Sequence, residues 1–415
     1  GYYSASPSGA LLAADRQLDL RQRDGGLPYS QVWLFAEYAR HFLLHHSRGA
    51  YLPSWYVDGF SFYMGTADFK PAFVEYGRSH PGLARALQSG RWEPMADIIS
   101  GETSRGWMYS AQSLLLVHYI FANADRVNAF RRYLTSVRAG ADPVPAFESA
   151  FGIRMAALKS VLERHMGNAT FVRANMAAPP PPVVNVASLP RTADELLLDQ
   201  AALRIGIPEE ERRREVFERA RRVAGERPDD LSRRVLVQAA IANGTPEAGG
   251  AALEALLAQE PRDPELLYLM GMRHLMAGRA NEAERATRYR EARRWFARAY
   301  GIEPRYYPAL YRYAESLSTE DSFVSENTQN VLLLAAEVAP QASQIRVSAA
   351  MMLMLTDQPD LARRLLQSII VSPRDPASQG VPELLALARA GQRPTRQALV
   401  DSFRATTVWR DLNCC

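Results

Sequence analysis

Glu37, His41 and His45 fall one helical turn apart in VWLFAEYARHFLLHH, with His46 beside them, and Asp58 follows in the next segment, SWYVDGFSFYMGT. Donors at i and i+4 share one face of a helix. Such a stripe can hold a divalent metal ion and polarise a water molecule. The plainer alternative is that histidines on a long helix are satisfied by packing and hydrogen bonds. The other histidines, His80, His118, His165 and His274, are scattered, and His118 sits inside the apolar run SLLLVHYIF. The sequence contains neither a glycine-rich phosphate loop nor a nucleophile elbow, and AQS and DGF are too short to argue from.

Helices must position these groups. Residues 30 to 47 carry a strong helical pattern, with Val32, Phe35, Ala39, Phe42 and Leu43 expected near one apolar face. SWYVDGFSFYMGTA predicts a second helix, and residues 105 to 137 and 143 to 166 predict further ones. Residues 1 to 25 read as strand and turn, with β-formers broken by Ser-Pro and Ser-Gly. FVRANM and VVNVASL flank Pro179 to Pro182, a run that cannot be helical and that marks a linker or hairpin.

From about residue 191 the vocabulary changes to Ala, Leu, Arg and Glu, the residues of helices. Prolines at 228, 261, 304, 340 and 373 recur at intervals of 33, 43, 36 and 33 residues. Ala292, Phe296 and Ala299 precede Pro304 with small-large-small spacing. Gly249, Leu253 and Leu256 precede Pro261 at the same offsets, as do Leu332 and Ala335 before Pro340. Ala362, Leu366 and Ile369 repeat the pattern before Pro373, shifted by one residue. Leu267, Met270 and Gly271, then Leu310, Tyr313 and Ala314, supply matching first-helix positions. A helix pair of about 34 residues cannot bury its apolar face alone, and small residues let neighbouring pairs nest. The spacing predicts a tetratricopeptide-type α-solenoid with a concave surface for a protein or peptide partner. The 43-residue interval holds an insertion around AGRANEAERATRYRE that should lengthen one pair.

The first half resembles the gluzincin-type zinc metallopeptidases. More closely, it resembles bacterial proteins that join a gluzincin-like domain of unassigned function to tetratricopeptide repeats. The family helix reads H-E-Y-x-H-H-F, and its second helix reads W-Y-x-E-G-F-A-E-Y. Here those positions read Ala36-Glu37-Tyr38-Ala39-Arg40-His41-Phe42 and Trp55-Tyr56-Val57-Asp58-Gly59-Phe60-Ser61-Phe62-Tyr63. The resemblance continues through YSAQSLLLVHYIF and AFESAFGIRMAAL. It implies a mainly α chain divided into a gluzincin-like α+β domain over 1–170, truncated at its start, a strand and proline-rich linker over 171–190, and helical repeats over 191–415.

The resemblance also implies a zinc site, with the general base at Glu37 and ligands at positions 36, 40 and 58. Those positions hold a methyl group, a guanidinium and a shorter acid, so the site reads as vestigial and neither metal nor other cofactor is expected. Arg40 is expected to replace the metal electrostatically by pairing with Asp58 and with Glu37. A residual peptide cleft would be lined by Glu37, Asp58, Tyr109 and His118. The alternative is an active zinc peptidase using displaced ligands from Glu37, His41, His45 and Asp58, although His41 and His45 lie about 100° around the helix from the old metal-facing side.

Bulk properties narrow the remaining classes. The 415 residues carry a net charge of +4, with 47% hydrophobic and 23% charged residues, as in an ordinary globular chain. Basic residues are dispersed. In EEERRREVFERARR, Glu209 and Arg213, Glu210 and Arg214, Glu215 and Arg219, and Glu218 and Arg222 fall at i,i+4, which suits a solvated helix face rather than a nucleic-acid groove. The longest apolar runs are too short to span a bilayer. Cys414 and Cys415 are adjacent and cannot staple a fold. Because the chain starts at Gly1, an export signal would lie upstream, and only the family resemblance suggests a periplasmic or exported location.

Overall fold

The computed structural model describes residues 2–13, 27–47, 52–78, 81–103, 106–167, 170–176, 183–369 and 376–404. His80, Pro179 to Pro182, Pro373, Cys414 and Cys415 lie outside them. The described chain is mainly helical, and no described helix is long and apolar enough to cross a membrane.

An antiparallel hairpin comes first: β1 (Tyr2–Ser6) and β2 (Gly9–Ala13), in register from Tyr2 opposite Ala13 to Ser6 opposite Gly9. Then follow α1 (Tyr29–His46), α2 (Ser54–Gly65), β3 (Asp68–Phe69), β4 (Phe73–Tyr76), α3 (Pro81–Gln88), α4 (Met95–Ser100), α5 (Trp107–Phe121), α6 (Ala124–Arg138), α7 (Pro143–Phe151), α8 (Met155–Met166) and β5 (Val172–Asn175). β3, β4 and β5 form an antiparallel sheet in that order, so the FVRANM segment is a strand of the first half rather than free linker. Residues 183–190 have no regular structure. Pro28, Pro53 and Pro94 sit at the N-caps of α1, α2 and α4 with nearly identical extended backbone, because proline favours φ near −60° and supplies no N–H to leave unsatisfied.

α2 is the buried centre of this half. A Cβ added to Gly59 would stand 2.2 Å from the Ser113 carbonyl oxygen on α5, and one on Gly65 would stand 2.8 Å from the Ala36 methyl on α1. Two glycines on one helix thus set its approach to two neighbours. Trp55 anchors the core beneath, with ring centroids 5.7 Å from Phe130 and 6.4 Å from Phe147. The buried stripe of α1 is Val32, Ala36, Glu37 and Arg40, whereas Phe42 is 49% exposed and Tyr38 61% exposed. The expected apolar face is therefore rotated, because close packing on Gly65 calls for the small Ala36 side of the helix.

The second half comprises α9 (Ala193–Ile205), α10 (Glu210–Glu226), α11 (Asp230–Ala242), α12 (Gly250–Gln259), α13 (Pro264–Ala280), α14 (Arg285–Ile302), α15 (Tyr307–Ser316), α16 (Glu326–Val338), α17 (Ser343–Leu355), α18 (Pro359–Gln367), α19 (Pro376–Gln379), α20 (Val381–Arg389) and α21 (Arg396–Arg404). Its breaks are copies of one another. α10, α12, α14 and α16 each end two residues before a proline, at Pro228, Pro261, Pro304 and Pro340. The four C-cap residues share φ between −125° and −141° and ψ between 61° and 90°. Proline disfavours helical backbone in the residue before it, which accounts for the common stop. The cores follow suit. Three apolar clusters succeed one another along this half, each built from nearby helices. The long interval extends both members of one pair, with 17 residues in α13 and 18 in α14. Gly271 receives the Phe296 ring so closely that a Cβ there would lie 2.4 Å from it.

The Glu–Arg ladder of α10 pairs differently from the sequence expectation. Arg219 bonds Asp199 at 2.7 Å and Arg222 bonds Glu195 at 2.6 Å, both across to α9, while Arg213 donates to the Ile207 and Pro208 carbonyls. Acids on a packed neighbouring helix compete with partners four residues away.

Because the obstacle at Gly59 is backbone, Gly59→Ala should cost at least about 2 kcal/mol. Urea unfolding followed by tryptophan fluorescence should show the first half unfolding at lower denaturant, and an unchanged midpoint would mean that α2 and α5 have slack.

Candidate functional site

Glu37 and Arg40 stand one turn apart on α1, and Asp58 faces them from α2. The Arg40 guanidinium bridges both acids, with Nε donating to Glu37 Oε2 at 2.7 Å and Nη2 donating to Asp58 Oδ1 at 2.7 Å. All three are buried, with relative exposures of 5% for Glu37, 5% for Arg40 and 0% for Asp58. Burial by itself would lower the arginine pKa, but the charges of Glu37 and Asp58 outweigh it and hold the guanidinium firmly cationic. The planar fork suits this geometry because its donors diverge to two acceptors.

The side chains at this position do not fit a zinc ion. Ala36 offers no donor and packs on Gly65. Arg40 is a cation bonded to both acids, so the space a metal would share with them is taken. Among the described residues no three His, Cys, Asp or Glu side chains form a set able to hold a metal.

Groups from distant parts of the chain reach the histidines of α1. Tyr3 of β1 brings its hydroxyl to 3.4 Å from His41 Nδ1. Its pKa is raised, first by burial and then by Tyr307 of α15 and by Glu37, so the phenol stays protonated. Arg305, in the connection before α15, donates from Nη2 to His45 Nε2 at 2.5 Å, which requires a lone pair on that nitrogen. His41 and His45 stack with centroids 5.7 Å apart. The four displaced ligand candidates therefore fall into two sets: Glu37 and Asp58 around Arg40, and His41 and His45 toward β1 and the second half. Tyr3, Arg305 and Tyr307 carried no local sequence signal, since their partners lie tens to hundreds of residues away.

The other two candidate cleft residues diverge. Tyr109 and His118 are nine residues apart on α5, about two and a half turns, and so lie on opposite faces. Tyr109 is buried and donates to Ser54 Oγ at 3.0 Å. His118 Nε2 lies 2.8 Å from the Thr170 carbonyl oxygen and Nδ1 lies 2.9 Å from His165 Nε2. A carbonyl only accepts, so His118 carries its proton on Nε2 and its Nδ1 accepts from His165. Burial lowers both pKa values. For His165, the neighbouring His118 and Arg126 add to the effect, and the value falls to about 4. This pair ties α5 and α8 to the chain leading into β5.

No protein-family model matches the chain, and no curated protein matches it either.

Arg40→Met removes the cation that bonds both buried acids, so it should destabilise the first half by about 3–5 kcal/mol. Adding Asp58→Asn should restore part of that loss, and Arg40→Lys should fall between, since an ammonium cannot fork. Urea titrations of the four proteins check this, and a loss within about 0.5 kcal/mol for Arg40→Met would show the ion pair to be idle.

The histidine pair makes a second prediction. A histidine with a folded pKa near 4 and an unfolded value near 6.5 binds its proton more readily when unfolded between those limits. Its contribution to stability is intact above pH 6.5, declines as pH falls toward 4, and changes no further below. Melting temperatures across this window should fall less steeply for His165→Gln than for the parent. Parallel profiles would dissociate the pair from acid sensitivity.

Proposed function

We infer that this chain is a metal-free relative of the gluzincin-type peptidases whose second half consists of diverged tetratricopeptide-like repeats, and that it acts as a protein-interaction scaffold rather than a protease. One observation carries the first part: a guanidinium bonds both acids of the site at 2.7 Å, at a position where the resembling family has a zinc-ligating histidine. A zinc-dependent peptidase needs several lone-pair donors converging on one ion and a carboxylate able to take a proton from bound water. Here Glu37 accepts a charge-assisted bond from Arg40 in a buried site, which opposes use as a base.

The repeat assignment rests on the four matching C-caps before proline, the glycine at 271 that admits Phe296, and the succession of local cores. Arrays of stacked helix pairs present extended concave surfaces to protein or peptide ligands, and this function is assigned to the second half.

The purified full chain, dialysed with and without zinc, should retain far less than one equivalent and show no chelator-sensitive peptide hydrolysis. About one zinc per chain, lost to chelator together with peptidase activity, would restore the displaced-ligand enzyme built from Glu37, His41, His45 and Asp58.

A further inference from the structure

The β1–β2 hairpin forms a sheet with no third strand among the described residues. A lone two-stranded hairpin is marginal in water, so its order must come from what it packs against. β1 packs on α1, on α9 and on α17, and β2 packs on α1 and α9. α9 opens the second half and α17 lies eight helices further along the chain, yet one five-residue strand touches both.

The hairpin also has specific anchors. Ser6 is buried, and its hydroxyl lies 3.1 Å from the Arg204 carbonyl oxygen and 3.3 Å from the Gly9 carbonyl oxygen. Arg204 is in the last turn of α9, where carbonyls lack partners within the helix, so Ser6 supplies a donor the helix needs. The Ser8 amide donates back to the Ser6 hydroxyl at 3.1 Å, which shapes the Pro7–Ser8 turn on the same spot. At the other end Tyr3 reaches His41 and the field of Tyr307. Between the anchors β1 offers only Ser4 and Ala5, small enough for helices to approach its backbone closely. Anchor, small spacer and capping turn are the features of a bound ligand, here carried on the same chain.

We propose that the surface formed by α1, α9 and α17 beneath β1 is a receptor for a short β-hairpin bearing an anchoring tyrosine and a Ser-Pro-Ser-Gly turn, and that residues 2–13 occupy it in cis and compete with a partner segment of the same chemistry. This proposal rests on the interaction-scaffold reading, naming its groove and the class of ligand. Because a cis ligand lowers apparent affinity by the fraction of time the groove is free, weakening it exposes the site without altering the helices.

The probe is a dye-labelled peptide of residues 2–13, titrated by fluorescence anisotropy into the full chain and into its Tyr3→Ala/Ser6→Ala variant. The variant should bind saturably, one peptide per chain and at least tenfold more tightly than the parent. A peptide with alanine in place of its tyrosine at position 3 should lose at least tenfold. A variant that keeps the parent melting temperature yet binds no better than the parent overturns the proposal, as does equal binding of the tyrosine-free peptide. Should the variant fold poorly, the parent alone decides the matter. Excess labelled peptide, distinguishable by mass, should speed amide exchange within residues 3–12 and leave residues 109–120 unaffected, and unchanged hairpin exchange rejects the exchangeable cis ligand. Zinc binding with peptidase activity would overturn the preceding function while leaving these titrations as they are, so the two failures are separable.

Discussion

A charge removed from water must be matched, and the contact between α1 and α2 is organised around that requirement at Arg40. Two carboxylates meet in the dry contact between α1 and α2, and only a cation with diverging donors can serve both. The match is geometric as well as electrostatic. Gly59 and Gly65 bring α2 against α5 and α1, Ala36 leaves room for the contact with Gly65, and Asp58 is delivered within 2.7 Å of the guanidinium. Loosening either glycine contact would move an acid whose burial is acceptable only in its present place.

The second half solves a related problem with the signs reversed. Glu315, buried on α15, accepts from Arg279 of α13 and from Arg312 of its own helix. Burial would raise its pKa, but the two guanidinium groups reverse that effect and hold it below the usual glutamate value. Arg312 also donates to the Phe403 carbonyl oxygen at 2.7 Å, and Tyr311 and Gln344 donate to that of Ser402 at 3.3 and 2.5 Å. The last carbonyls of α21, orphaned by the end of the helix, are thereby satisfied by side chains of α15 and α17. Three successive apolar cores fill this half. Polar anchors of this kind determine where successive helices sit.

Several polar contacts join the halves among the described residues. Arg305 meets His45, Arg389 meets Glu102 at 3.1 Å, and Ser6 meets the end of α9. Exposed or half-exposed pairs of this sort contribute little individually. The hairpin adds a further connection by lying against both halves at once. Its position, more than any single bond, relates the ion pair to the array.

Much of this was legible in the residues. Helical periodicity, proline stops and small-large-small spacing are local properties, and local rules of backbone and volume determine them: Pro228, Pro261, Pro304 and Pro340 mark helix ends, and Ala292, Phe296 and Ala299 are buried. The juxtaposition of Arg40 with Glu37 and Asp58 was expected only through the family resemblance, which places residues 40 and 58 at former ligand positions. Facing and partnership were not legible. Phe42 reads as core from its hydrophobicity and is exposed. Arg219 reads as a partner of Glu215 on its own helix and pairs across to Asp199 of α9, and Arg222 divides itself between Glu226 of its own helix and Glu195 of α9. Tyr109 and His118 read as one cleft and stand on opposite faces of α5. Sequence alone thus determined that the chain is mainly helical and that helices stop before Pro228, Pro261, Pro304 and Pro340, although it passed over α3 and α4. The tertiary structure decided which side of each helix turns inward and which distant residues, Tyr3 and Arg305 among them, meet the histidines of α1, because those choices depend on competition among surfaces that are neighbours only after folding.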